Sequence, residues 1–219
     1  MGEKMKKIAV IHTTPVTIAA MKKEIINLDS SVEVINFLDD SMLPEINKKE
    51  TITSDVTYRL HTLMNMAQVA GADAILCACS SIGGVFEEGK EILSIPVFRI
   101  DEPMANQAAG YKKVAVAATL KSTILPTTEL IRRKAKANGN EIKIETKIIE
   151  NVGGLLSEGK EKEYDSIVLK ELEKLAENND IVVLAQASMA RAISDIPEER
   201  KSKFLTSPQS GVAAMFQKK

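Results

Sequence analysis

Short apolar runs rich in Val and Ile alternate along this chain with longer amphipathic stretches, the pattern of an α/β protein with mainly parallel sheets. The runs predict strands at 7–12, 32–37, 73–78, 95–99, 113–118, 142–148, 180–185 and, more weakly, 203–206. Helices are expected between them. Thr14-Pro15 reads as a cap followed by proline at the first helical position, opening a helix toward Asn27. Ser54 is the expected cap of a helix that ends near Ala70 with Gly71 as terminator, and Gly110 and Gly139 are expected to stop two further helices in left-handed conformation. The longest irregular stretch is 38–52, and a loop of that length suggests either a lid or a surface excursion.

The pattern repeats. "KKIAVIHTTP" begins at Lys6 and "KKVAVAATLK" at Lys112, an offset of 106 (112 − 6). "DAILCACSSIG" from Asp73 matches "DIVVLAQASMA" from Asp180, an offset of 107 (180 − 73). Two similarly built lobes are therefore expected, with strand ends at 12–14, 79–81, 118–120 and 186–188 equivalent in pairs. Ligands of open parallel sheets sit outside the carboxyl ends of strands, so two such lobes facing each other would form a cleft.

Charge and cysteine content narrow the function. With 29 Lys+Arg against 30 Asp+Glu the net charge is -1, which gives no field that would draw the protein to nucleic acid or an anionic membrane. The opening apolar run is too short for a signal peptide or a membrane span, so a cytoplasmic protein is expected. Two cysteines one residue apart suit neither a disulfide framework nor a zinc site, and no metal is expected. Two segments, Gly84–Glu91 and Gly154–Glu161, imitate a phosphate-binding loop but carry Glu where Ser or Thr would hold magnesium.

Cys77 lies inside an apolar run and reads as core. Cys79 stands at the strand end, where the next helix offers unpaired N–H groups that favour a thiolate. Opposite it in the repeat is Gln186, with Ser81 opposite Ser188. Thr13, Thr14, Ser80, Ser81, Thr119, Ser122, Thr123 and Ser188 place hydroxyls at the paired strand ends. Each alone reads as a helix cap, but together they could cradle a carboxylate. His12 ends the first strand and is a further candidate to orient substrate or act as a base.

These motifs resemble the aspartate/glutamate/hydantoin racemase superfamily. "ADAILCACSSIGG" is similar to that family's first cysteine motif with Cys79 on the cysteine, and "VVLAQASMA" is similar to the second, with Gln186 in the second cysteine's place. The likeness extends over the opening strand, the "VAVAATLKST" strand and turn at 114–123, and a closing "FLTSPQSGVAAM" that would return to the first lobe. It implies two lobes related by a pseudo-twofold axis, residues 1–101 plus 204–219 and residues 102–203, with the site between them. It also implies a cofactor-independent enzyme acting beside the carboxylate of a small amino acid or dicarboxylic acid, with a homodimer among the expectations. Family racemases flank the reacting carbon with two thiols. A glutamine amide is no base, so the resemblance here points away from two-thiol racemisation and toward single-thiol chemistry, by proton transfer or nucleophilic attack. Arylmalonate decarboxylases and maleate isomerases are such relatives. A non-catalytic sensor that closes on a small acid is the reading from another class.

Overall fold

The computed structural model describes residues 5–217 and divides the chain into two units, residues 1–102 with 208–219 and residues 103–207. Each unit contains a four-stranded sheet, parallel throughout, with helices on both faces.

In the first unit the order is β2-β1-β3-β4, from β1 (Lys7–His12), β2 (Glu33–Leu38), β3 (Ala74–Cys77) and β4 (Val97–Arg99). The expected Thr14-Pro15 start holds in modified form: Thr14 Oγ1 accepts from Val16 N and caps a 3-10 turn, Pro15–Thr17, which leads into α1 (Ile18–Leu28). Segment 38–52 is not an irregular loop. It contains α2 (Met42–Lys49), whose Met42 and Ile46 enter the core. Arg59 fastens it to α3 (Ser54–Val69) by bonds of 2.7 Å to Asp39 and 2.7 Å to Glu45. That anchoring removes the case for a lid. The cap of α3 is Thr53, one residue before the expected Ser54, because the Thr53 hydroxyl accepts from Val56 N at 3.2 Å. After β3 come a 3-10 turn, Ser80–Ile82, and α4 (Gly83–Gly89). The supposed phosphate loop beginning at Gly84 is thus helical.

The second unit repeats the plan as β6-β5-β7-β8, from β5 (Lys113–Ala118), β6 (Lys143–Ile148), β7 (Ile181–Leu184) and β8 (Phe204–Leu205). Its helices are α5 (Glu102–Ala108), α6 (Lys121–Ala137), α7 (Glu161–Asn178) and α8 (Glu198–Lys201). The same carboxylate device starts both sheets. Asp73 Oδ2 accepts from the N–H of Lys6 and Lys7 at 2.6 and 2.8 Å, and Asp180 Oδ2 from Lys113 N at 2.8 Å. Leu172 and Leu175 of α7 face the core, and Met66 on α3 is half exposed.

Two expectations need correction. The chain returns to the first unit at Pro208 rather than at residue 204, because Phe204 and Leu205 pair with β7 and complete the second sheet. The returning α9 (Pro208–Gln217) packs against the end of β4 so closely that a Cβ on Gly211 would collide with the Ile100 carbonyl oxygen. Gly71 and Gly139 take the expected positive φ, but Gly110 does not. Gly110 N instead closes a turn on Gln107 O, which needs no left-handed residue.

Candidate active site

In a sheet of order 2-1-3-4 the chain leaves the first strand on one side and returns on the other, so the loops after β1 and β3 part at the carboxyl edge and leave a crevice. The same holds after β5 and β7. At the first switch point stand Thr13 and Cys79, at the second Thr119 and Gln186.

Cys79 has extended backbone and precedes the Ser80–Ile82 turn. Its thiol is half-buried. Burial pushes the thiol up from its ordinary acidity, while the Thr13 hydroxyl, the N–H groups of Ser81 and Ile82 and the Ser81 hydroxyl all pull it back. Among the described residues Thr13 Oγ1 has no oxygen or nitrogen partner, and the Cys79 sulfur is its neighbour. Burial prevails, so at neutral pH the group is a thiol. The surrounding donors nonetheless make a ready bed for a thiolate formed when the proton leaves. Cys77, two residues earlier, is 1% exposed and points into the core; its Sγ donates to Cys79 O at 3.4 Å. Burial pushes it far up, so the two thiols divide as their positions in the apolar run indicate.

In the second unit three donors converge on one oxygen. Gln186 Oε1 accepts from Thr119 N at 2.6 Å, Thr119 Oγ1 at 3.0 Å and Leu120 N at 3.1 Å. Two of these are backbone N–H groups, which fixes the amide orientation: the oxygen faces the loop after β5, and the NH2 faces away. The Gln186 oxygen thus holds the geometry of the loop after β5. Ser188 lies two residues on and is half-buried.

Other expected residues are occupied elsewhere. His12 is fully buried on the opposite side of its strand end, with Nδ1 2.7 Å from Thr17 Oγ1 and Nε2 3.0 Å from Asn36 Oδ1. Burial lowers its basicity, partly offset by Asn36, so His12 is a neutral tie between β1, β2 and the turn before α1 rather than a base. Thr14 caps that turn, and Thr123 Oγ1 donates to Leu120 O at 2.8 Å. Ser80 is buried, and Ser122 is half-buried on the first turn of α6.

Two groups escaped the sequence reading. Arg99, at the end of β4 and level with Cys77, is 4% exposed. It makes a two-pronged pair with Asp101 at 2.9 and 2.8 Å and reaches Glu87 of α4 at 3.3 Å. This clamp holds the start of α4, and with it the turn that carries the Cys79 donors. No spacing signals it, because Arg99-Ile100-Asp101 looks like any strand exit. The second is Tyr164 on α7, whose hydroxyl lies beside those of Thr119 and Ser188. Among the described residues, no group of three or more His, Cys, Asp or Glu side chains could hold a metal ion, and no helix is long and apolar enough to cross a membrane.

The family profile described as Asp/Glu/Hydantoin racemase matches residues 8–215. Similar solved structures include glutamate racemase from Francisella tularensis in complex with D-glutamate, with TM-score 0.74, 17% identity, and coverage of 96% of this chain and 79% of that one. Aspartate racemase from Picrophilus torridus gives TM-score 0.70 at 15% identity, covering 97% and 93%. Allantoin racemase from Klebsiella pneumoniae gives TM-score 0.64 at 16% identity, covering 96% and 86%. At these identities the likeness is one of fold. Among curated proteins none matches the chain.

Proposed function

The chain belongs to the Asp/Glu/hydantoin racemase family, and from that premise we propose that it is a cofactor-independent, isomerase-type enzyme working through one thiol. Cys79 delivers a proton to one face of a carbanion formed next to the carboxylate of a small amino acid or dicarboxylic acid. The observation that carries this reading is the Cys79 thiol itself: half-buried, protonated by virtue of burial, and ringed by Thr13, Ser81 and the Ser81 and Ile82 N–H groups.

The chemistry follows from which groups are present. When a bond to the carbon beside a carboxylate breaks, its electron pair spreads onto that carboxylate as an enediolate. The carbon then takes the proton from Cys79, and the sulfur is left as a thiolate that its donors stabilise until water returns a proton. If the broken bond joins a second carboxyl group, CO2 leaves and the net reaction is decarboxylation. If it is a C–H bond, the base is the minor thiolate form of Cys79, which takes the proton, exchanges it with water as the thiol and returns it to the same face, giving exchange with retention. Racemisation by a two-thiol route needs a second base, and the amide that Gln186 carries in place of a second cysteine is not one. The high thiol pKa also favours acid chemistry over nucleophilic addition, for which a thiolate is required.

The test is proton NMR in D2O with D- and L-aspartate, D- and L-glutamate, maleate and a 2-substituted malonate. Deuterium at the α-carbon or loss of a carboxylate is expected with the wild type and is expected to vanish in Cys79→Ser. Cis–trans conversion of maleate would move the assignment to nucleophilic chemistry. Unchanged turnover in Cys79→Ser would refute the proposal. An alkylation-inert Cys79 in a protein that binds these acids without converting them would make it a sensor instead.

A further inference from the structure

Tyr164 lies in the first turn of α7 and is 2% exposed, in the same core cluster as Val168, Leu172, Val182 and Met189. Its phenolic oxygen is buried, yet among the described residues no donor or acceptor meets hydrogen-bond geometry with it. A buried hydroxyl without a partner is unfavourable and uncommon in native proteins, so each one calls for an explanation.

Packing does not explain it. The buried positions of α3 are Val56, Leu60, Met64 and Ala67, and those of α7 are Tyr164, Val168, Leu172 and Leu175. Each pair is 108 residues apart (164 − 56, 168 − 60, 172 − 64, 175 − 67), so Tyr164 is the counterpart of Val56. The first unit builds the same core with a purely apolar residue there. What the second unit adds is a ring and one oxygen.

That oxygen lies at the carboxyl edge of the sheet, beside the hydroxyls of Thr119 and Ser188. The Thr119 proton is committed to Gln186 Oε1 at 3.0 Å. Ser188 is half-buried, so its hydroxyl is the member of the trio that can face both the phenol and a ligand. The ion pair of Arg191 with Asp165, 2.8 Å, fastens the turn carrying Ser188 to the first turn of α7 and holds these groups in place.

We propose that Tyr164 is a positioning residue for ligand binding: a carboxylate or carbonyl oxygen of the ligand accepts the Ser188 hydroxyl proton, and Ser188 Oγ in turn accepts from the Tyr164 phenol. The free protein lacks that last hydrogen bond and the bound protein gains it. Burial pushes the phenol's pKa up, against the pull of Ser188 and Thr119, which keeps the group protonated and therefore a donor. Chains of such bonds reinforce one another where water is excluded. The inference rests on the reading of the chain as acting on a small carboxylic acid.

The experiment compares wild type, Tyr164→Phe, Ser188→Ala and the double variant, by thermal unfolding without ligand and by calorimetric titration with the acid of the above panel that the wild type binds best. Tyr164→Phe is expected to leave the melting temperature unchanged or raise it, while weakening binding about 3- to 10-fold, the effect of one neutral hydrogen bond. The double variant is expected to bind no more weakly than Ser188→Ala, and in turnover KM is expected to rise more than kcat falls. A lower melting temperature for Tyr164→Phe would show that the phenol is already paired in the free protein and overturn the inference. Unchanged affinity, or losses that simply add, would overturn it too. A wild type that binds an acid but converts none refutes the proposed reaction and leaves the Tyr164 comparison decisive; a wild type that binds none of the acids overturns both.

Discussion

Gly83 and Gly84 are adjacent in α4, yet replacing each by alanine should have opposite effects. A Cβ on Gly83 would lie 2.5 Å from Arg99 Cζ and Nη2 and 2.6 Å from Nε, whereas one on Gly84 meets nothing within 4 Å. Arg99 cannot swing aside as an exposed side chain would. It is 4% exposed and held by Asp101, itself 1% exposed, and by Glu87. Gly83→Ala must therefore shift the start of α4, which costs about 1–3 kcal/mol as overpacking, or break the ion pair and strand a buried carboxylate, which costs about 3–5 kcal/mol. Gly84→Ala should stabilise the helix by about 0.5–1 kcal/mol. The expected gap between the two variants is at least about 1.5 kcal/mol by the lower bounds of these figures. Because the chain has two units, the suitable assay is one that reads the first unit locally: native-state hydrogen exchange on the amides of β3 and β4. The rate of Cys79 alkylation offers a second readout, since Ser81 and Ile82 immediately precede Gly83 and their N–H groups help set the thiol's acidity. Variants within about 0.5 kcal/mol of each other, the scatter of ordinary surface substitutions, would refute the idea that the Arg99 clamp fixes the start of α4.

Three further outcomes follow from the same geometry. Gln186→Ala leaves the N–H groups of Thr119 and Leu120 without their acceptor and should destabilise the second unit by about 1–3 kcal/mol; Gln186→Glu, which keeps an acceptor, should lose less, and denaturant titration compares them. Burial holds the folded pKa of His12 below its ordinary value, so the unfolded chain binds the proton more readily. Stability should therefore fall as pH drops below about 6.5, and His12→Gln should flatten that slope; an unchanged slope would mean that His12 is not the group responsible. Because burial raises the Cys79 pKa, its alkylation rate should keep climbing with pH through and beyond about 8.5, with no plateau near neutrality, while Cys77 stays unmodified until the protein unfolds.

The strands and their pairing into two like units were legible because a parallel strand buried on both faces must be apolar along its length, and the chain writes that pattern twice. The two cysteines were separable on the same ground: Cys77 inside the run is fully buried, and Cys79 at its end is half-buried. Local chemistry sufficed for the Thr14-Pro15 turn and for the positive φ of Gly71 and Gly139, where the cap or the left-handed residue acts within a few positions. Elsewhere the deciding partner is distant in sequence. His12 looked like a catalytic base until Asn36 on the neighbouring strand and Thr17 occupied both ring nitrogens. Segment 38–52 looked loose until Arg59 claimed Asp39 and Glu45. The last short strand belonged to the second sheet because β7 was its neighbour. Arg99 became a clamp, and the Tyr164 oxygen a buried hydroxyl without a partner, only once the sheet edge gathered their neighbours. Hydrophobic periodicity is a property of the chain and fixes which face of each element is buried; the state of a polar group depends on which donors and acceptors surround it, and tertiary packing alone supplies those.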